Sequence, residues 1–115
     1  MLVVVAAAAV WALPGVAGVT AARATKVTVT AGKPSEFRFT LSKKSVPVGS
    51  VTFAIKNLGS LPHDFKIGGK VTKLITPKGS ATLTVTFKKA GSYPYQCTVP
   101  GHAAAGMKGV LKVVK

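Results

Sequence analysis

From Lys26 onward the sequence runs with a period of two. The stretches 26–30 (KVTVT), 36–41 (EFRFTL), 50–57 (SVTFAIKN), 63–67 (HDFKI), 81–87 (ATLTVTF), 92–97 (SYPYQC) and 109–114 (GVLKVV) alternate or are β-branched, and 71–75 (VTKLI) is a further short candidate. Successive side chains of a strand point to opposite faces, so this pattern gives each segment one face for a core and one for water. The breaks hold turn residues: Ala31-Gly32-Lys33-Pro34, Pro47-Val48-Gly49, Asn57-Leu58-Gly59, Gly68-Gly69, Pro77-Lys78-Gly79 and Ala90-Gly91. No segment has helical periodicity. Seven to eight short strands at this spacing predict an all-β Greek-key sandwich or barrel over residues 25–115. The expected inward residues are Val27, Val29, Phe37, Phe39, Val51, Phe53, Ile55, Phe65, Ile67, Leu83, Val85, Phe87 and Val110. Pro94 cannot donate to a ladder, so the strand that carries it is expected to have an edge or a bulge there.

Residues 1–22 contain no charged side chain, and Arg23 is the first. An apolar run followed by small residues reads as an export signal, with Ala22-Arg23-Ala24 fitting the small-x-small cleavage pattern. No Lys or Arg precedes the run, and an uncharged stretch of about 20 residues is also long enough to cross a bilayer. Residues 1–24 are therefore expected to be a cleaved signal peptide, with an N-terminal membrane anchor as the alternative. Either way residues 25–115 face the periplasm or the extracellular side of the membrane.

Charge separates this chain from an ordinary small domain. Sixteen Lys and Arg stand against two acids, Glu36 and Asp64, for a formal net charge of +14. Such a surface attracts acidic proteins, anionic membranes or nucleic acid. All but Arg23 and Arg38 of the sixteen are lysines, and they are scattered. Phosphate readers favour Arg and show a basic stripe or a known motif. Nucleic acid is not expected as a partner.

The remaining chemistry gathers in one segment, YPYQCTVPGHAAAGMKG (93–109). It holds the sole cysteine, Cys97, with His102 and Met107 at a spacing of Cys-x4-His-x4-Met. A lone thiol in an exported chain is a liability unless something uses it. Fully extended, Cys97 and Met107 would stand over ~30 Å apart, at about 3.3 Å per residue. Pro100-Gly101 and Gly106 are placed to fold the chain back before each later residue. The other histidine, His63, opens the expected strand 63–67, and one end of a sandwich gathers strand starts and loops. Two imidazoles, a thiolate and a thioether fit copper, because soft sulfur suits copper(I) and imidazole suits copper(II). Zinc competes, although its usual fourth ligand is not a thioether.

The loop YQCTVPGHAAAGMKG and the segment GSVTFAIKNLGSLPHDFKI resemble the ligand loop and first-histidine strand of the cupredoxins, the small blue (type 1) copper proteins. The likeness extends over about residues 25–115. It implies ligation of one copper ion by His63, Cys97, His102 and Met107, and transfer of single electrons by Cu(I)/Cu(II) cycling rather than catalysis. It also implies that His102 lies near the surface among apolar residues, with Pro100, Gly101, Ala103, Ala104, Leu61 and Pro62 around it. The family often has Asn after the first histidine. Here Asp64 stands there, and its carboxylate can accept a hydrogen bond, for example from the Thr98 backbone, but cannot donate one.

The expected partners of this monomer are redox proteins with acidic docking surfaces, or an anionic membrane. The alternative functions are a copper delivery or buffering protein and a sandwich with no redox role.

Overall fold

A computed structural model describes residues 24–115. The proposed signal or anchor over residues 1–22 lies outside the described residues.

The alternating segments form nine short strands among the described residues: β1 (Thr25–Ala31), β2 (Phe39–Leu41), β3 (Ser45–Pro47), β4 (Gly49–Asn57), β5 (Lys66–Ile67), β6 (Lys70–Val71), β7 (Ser80–Phe87), β8 (Gly91–Gln96) and β9 (Lys108–Val114). They build two sheets. One has the order β2-β1-β4-β7 and the other β3-β9-β8-β5-β6. Within them β1 runs parallel to β4 and β9 parallel to β3, while the remaining pairs are antiparallel.

The register follows from burial. Val27, Phe53 and Leu83 are direct neighbours across β1, β4 and β7, as are Val29, Ile55 and Ala81 one inward position further on. Between them Thr28, Ala54 and Thr82 face solvent or lie at its edge. The inner faces meet in one cluster that includes Val27, Val29, Phe53, Ile55, Phe65, Val85, Phe87 and Leu111. Phe65 packs edge-on against Phe39 and tilted against Phe53, at 5.3 Å between centroids in each case, and lies 5.5 Å from Tyr95, which ties the two sheets together. A second, smaller cluster of Ala31, Cys97 and Met107 sits apart, with Phe37, Phe39 and Val99 against it.

Several expectations shift. Val110 is 57% exposed, and Leu111 and Val113 are the buried residues of β9. Val110 shares its face with Lys112, and turning that face inward would bury a lysine. The segment 36–41 pairs only from Phe39, because Glu36 and Phe37 lie in a turn closed by the Gly32 N–H to Arg38 O at 2.9 Å. The segment 63–67 is a strand only at Lys66–Ile67. His63 makes an isolated bridge to Ile75, the Asp64 N–H turns to the Cys97 sulfur, and the Phe65 N–H goes to Thr72 Oγ1. Likewise 71–75 yields that bridge and the end of β6. Strand β3 is not among the expected strands, since Pro47 opens an expected turn, and it pairs with the last residues of β9.

Pro94 lies in β8 opposite Val110. On the other side of β8 the ladder with β5 reaches only Tyr95 and Gln96. Pro94 thus stands where that side of the strand has become an edge, which is where a residue without an N–H is tolerated.

Candidate metal centre

The loop after β8 folds as its glycines allow. Seven consecutive residues, 100–106, are turns. Gly101 and Gly106 adopt φ of +85° and +117°, a region L side chains rarely enter. The His102 N–H reaches Val99 O at 3.0 Å, the Met107 N–H returns to His102 O at 3.0 Å, and the Cys97 N–H closes on Met107 O at 3.1 Å. The strand ends carrying Cys97 and Met107 are thereby joined, with His102 at the tip of the turn between them.

His63 arrives from the opposite sheet connection. It exchanges both backbone hydrogen bonds with Ile75, at 3.1 and 2.7 Å. Cys97 Sγ lies 3.6 Å from His102 Nδ1 and 3.9 Å from His63 Nδ1, and the two Nδ1 atoms are 3.1 Å apart. One donor atom from each of the three residues lies within 4.8 Å of the others. The group is shielded: His63 is 0% exposed, Cys97 1% and His102 8%. Met107, at 0%, packs in the same small cluster as Cys97. All four residues singled out in the sequence therefore stand in one place.

The surroundings set the protonation states. Burial pushes the Cys97 thiol up, and the Asp64 N–H, 3.5 Å from the sulfur, draws it partly back. Burial, and then the neighbouring His63, lower His102, so that ring is neutral and keeps a lone pair to donate. Its ring also meets Phe37 edge-on at 4.9 Å. Asp64 accepts the Thr98 N–H at 2.6 Å and a further short bond from the Thr98 hydroxyl. This strap ties the first histidine's segment to the cysteine's, as the likeness in sequence implied.

Two residues of the site were missed in the sequence. Glu36 Oε2 lies 2.6 Å from His63 Nε2, on the side of the ring away from the cluster. The signal was scarcity: both acids of a +14 chain contact the segments that hold these donors. Asn57, fully buried, holds the loop that leads to His63 through its side-chain amide. An Asn in a turn signal is too common to have marked it.

A buried set of two imidazoles, a thiol and a nearby thioether, with Asp64 turned to Thr98 and Glu36 on the far side of the His63 ring, is a soft donor set. It fits copper better than zinc, calcium or magnesium, which take harder or different fourth ligands. One apolar depression of about 510 Å³ opens beside it, lined by Leu61, Pro62, Asp64, Leu74, Thr98, Val99, Pro100 and His102.

Comparison with known proteins agrees with this geometry. The reduced auracyanin of Roseiflexus castenholzii superposes with a TM-score of 0.64 at 26% identity, over 81% of this chain and 98% of that one. Rusticyanin from Thiobacillus ferrooxidans gives 0.65 at 26% identity, over 79% and 77%. In sequence, the copper-resistant cuproprotein CopI of Pseudomonas aeruginosa is 50% identical over 40 residues, which is 35% of this chain and only 22% of CopI. The profile of the Cupredoxin-like domain matches residues 2–113. With the two-sheet fold and the donor cluster on the same residues, the chain belongs to the cupredoxin-like domain family.

Proposed function

We propose that this chain is a type 1 copper protein that carries single electrons between redox partners. His63, Cys97 and His102 would hold the copper, with Met107 as a weaker thioether donor. The observation that carries the reading is the convergence of His63 Nδ1, Cys97 Sγ and His102 Nδ1 in a buried site that also contains Met107. The names of structural neighbours point the same way, rusticyanin being described as a copper protein at 26% identity. When bound, copper supplies a reversible one-electron couple.

The protein's part is to hold the donors still. Cys97 and Met107 are joined by a backbone bond, His63 is bridged to Ile75, and Asp64 is strapped to Thr98. A cage fixed in this way changes little between oxidation states, which keeps reorganisation small. Four protein donors would fill the cage around copper and leave no position for a substrate, so the reading is of a carrier and not an enzyme.

His102, which lines the apolar depression, would be the exit for the electron. Leu61 and Leu74 are 41% and 55% exposed in the depression beside it, and with Pro62, Val99 and Pro100 they offer a partner an apolar seat. The unpaired lysines would steer an acidic redox partner or an anionic membrane toward this basic monomer, an effect that weakens with salt. The uncharged run over residues 1–22 supports work on the extracytoplasmic side, in the periplasm or at the outer face of a membrane, with residues 25–115 as the copper domain.

The likeness to CopI favours one second reading, copper delivery or buffering. Copper-loaded wild type and Cys97→Ser distinguish the two. A carrier shows intense visible absorption from the thiolate–copper(II) pair, bleached by one electron per protein and lost in Cys97→Ser. Copper bound without that band favours delivery, and colourless protein with no bound copper refutes both.

A further inference from the structure

Every oxygen of the Glu36 carboxylate is in use. Oε1 accepts the Ser60 N–H at 2.8 Å, and Oε2 accepts the Leu61 N–H at 3.2 Å while lying 2.6 Å from His63 Nε2. The two backbone bonds alone would pin the loop before His63. The third and shortest contact goes to a ring with no solvent exposure. Both oxygens accept backbone N–H groups, an arrangement that favours the ionised carboxylate. An anionic carboxylate only accepts, hence the shared proton belongs to His63 Nε2, and Nδ1 keeps its lone pair on the side of Cys97 and His102. The adjoining loop leaves room for this contact: a Cβ at Gly59 would meet the Glu36 carboxylate and come within 3.0 Å of His63 Nε2.

We propose that Glu36 is a positioning residue for copper, fixing the His63 ring in its metal-binding tautomer and weighting the site toward copper(II). The inference rests on the copper reading above. The copper(II) form carries one more positive charge than copper(I), so a fixed anion one imidazole away favours it and lowers the reduction potential.

The test measures copper(I) affinity, copper(II) affinity and reduction potential on the full chain and on Glu36→Gln. The glutamine oxygen can take the Oε2 position and keep the His63 and Leu61 bonds, losing the charge and the Ser60 bond. Copper(II) affinity should fall about tenfold, the low end of what outer partners of ligating histidines contribute. Copper(I) affinity should change far less, and a tenfold change in their ratio raises the potential by about 59 mV for one electron. Gly59→Ala keeps the acid but wedges a methyl against its contact with the ring, and should move the potential the same way. In the metal-free wild type, nitrogen NMR of neutral His63 should find the proton on Nε2.

An unmoved potential with equal losses for both ions, or a His63 proton on Nδ1, overturns the proposal. Failure of the wild type to bind copper would instead overturn the functional reading, and the tautomer measurement would still decide whether Glu36 orients His63.

Discussion

Asn57 offers a sharp test of how the frame holds the centre. It ends β4 with no solvent exposure. Its Nδ2 donates to Leu61 O and to Ile75 O, both at 2.9 Å, and its Oδ1 accepts the Gly59 N–H at 2.8 Å. Ile75 is also the residue bridged to His63, so one amide ties the end of β4 to both chains that place the first histidine. Replacing Asn57 with Ala removes three side-chain hydrogen bonds, each worth about 0.5–1.5 kcal/mol net. Ile75 O keeps its bond from the His63 N–H, and Leu61 is exposed enough for water to reach its carbonyl, so orphan penalties add little. The expected loss is about 3 kcal/mol, a large share of the roughly 5–14 kcal/mol that holds a domain of this size together.

Asn57→Asp separates hydrogen bonding from packing. The carboxylate keeps the volume and the Gly59 bond, but sets an acceptor against two carbonyl oxygens where the amide donated. At pH 7 it should cost more than Ala, and the difference should shrink at acid pH, where the protonated group regains one donor. Urea unfolding of the metal-free protein reads both, with unchanged slopes. Asn57→Ala within about 1 kcal/mol of wild type, or Asp equal to wild type, would refute the reasoning.

Three further outcomes are expected. Asp64→Asn removes a negative charge from beside Cys97 while the Thr98 hydroxyl can reverse its bond, so redox titration should find a higher potential; an equal or lower one contradicts it. Leu111→Ala should cost about 2–5 kcal/mol and Val110→Ala under about 0.5 in the same urea assay, and the reverse order would mean that β9 presents its other face. Burial raises the Tyr95 phenol, so the native state holds that proton longer than the unfolded chain. Its contribution is whole below the unfolded value near pH 10 and is lost as pH climbs through the folded one. Alkaline unfolding should therefore show a fall in wild type relative to Tyr95→Phe, and parallel curves would count against it.

The fold was legible where burial alone decides. Val27, Val29, Val51, Phe53 and Ile55 stand on one face because their polar neighbours must stand on the other, and the structure keeps that parity. Parity failed at β9, where GVLKVV offers apolar residues on both faces and only Lys112 tells them apart. It failed again at 63–67, where backbone N–H groups serve a sulfur and a threonine hydroxyl in place of a strand, a choice that depends on partners over 30 residues away for Asp64 and 7 for Phe65. The donors were legible because Cys, His and Met are scarce and spaced for a turn. Glu36 and Asn57 act through contacts 27 and up to 18 residues distant, which no local pattern encodes.

Scarcity of acids also explains the surface. Glu36 contacts a histidine and Asp64 a threonine, so neither pairs with a lysine among the described residues. Every lysine is then left without an anionic neighbour on the chain, and the field outside the molecule is of one sign. Self-repulsion of that kind works against the compact state. It therefore gains nothing for the fold, and on the proposed reading it would serve contacts with other molecules. At physiological salt, where charges are screened beyond about 8 Å, scattered lysines act mainly on a surface already close by. That would suit the proposed carrier, whose apolar seat must be found often and left quickly: charge would gather acidic partners to the face, and the small residues around His102 would set how near they come.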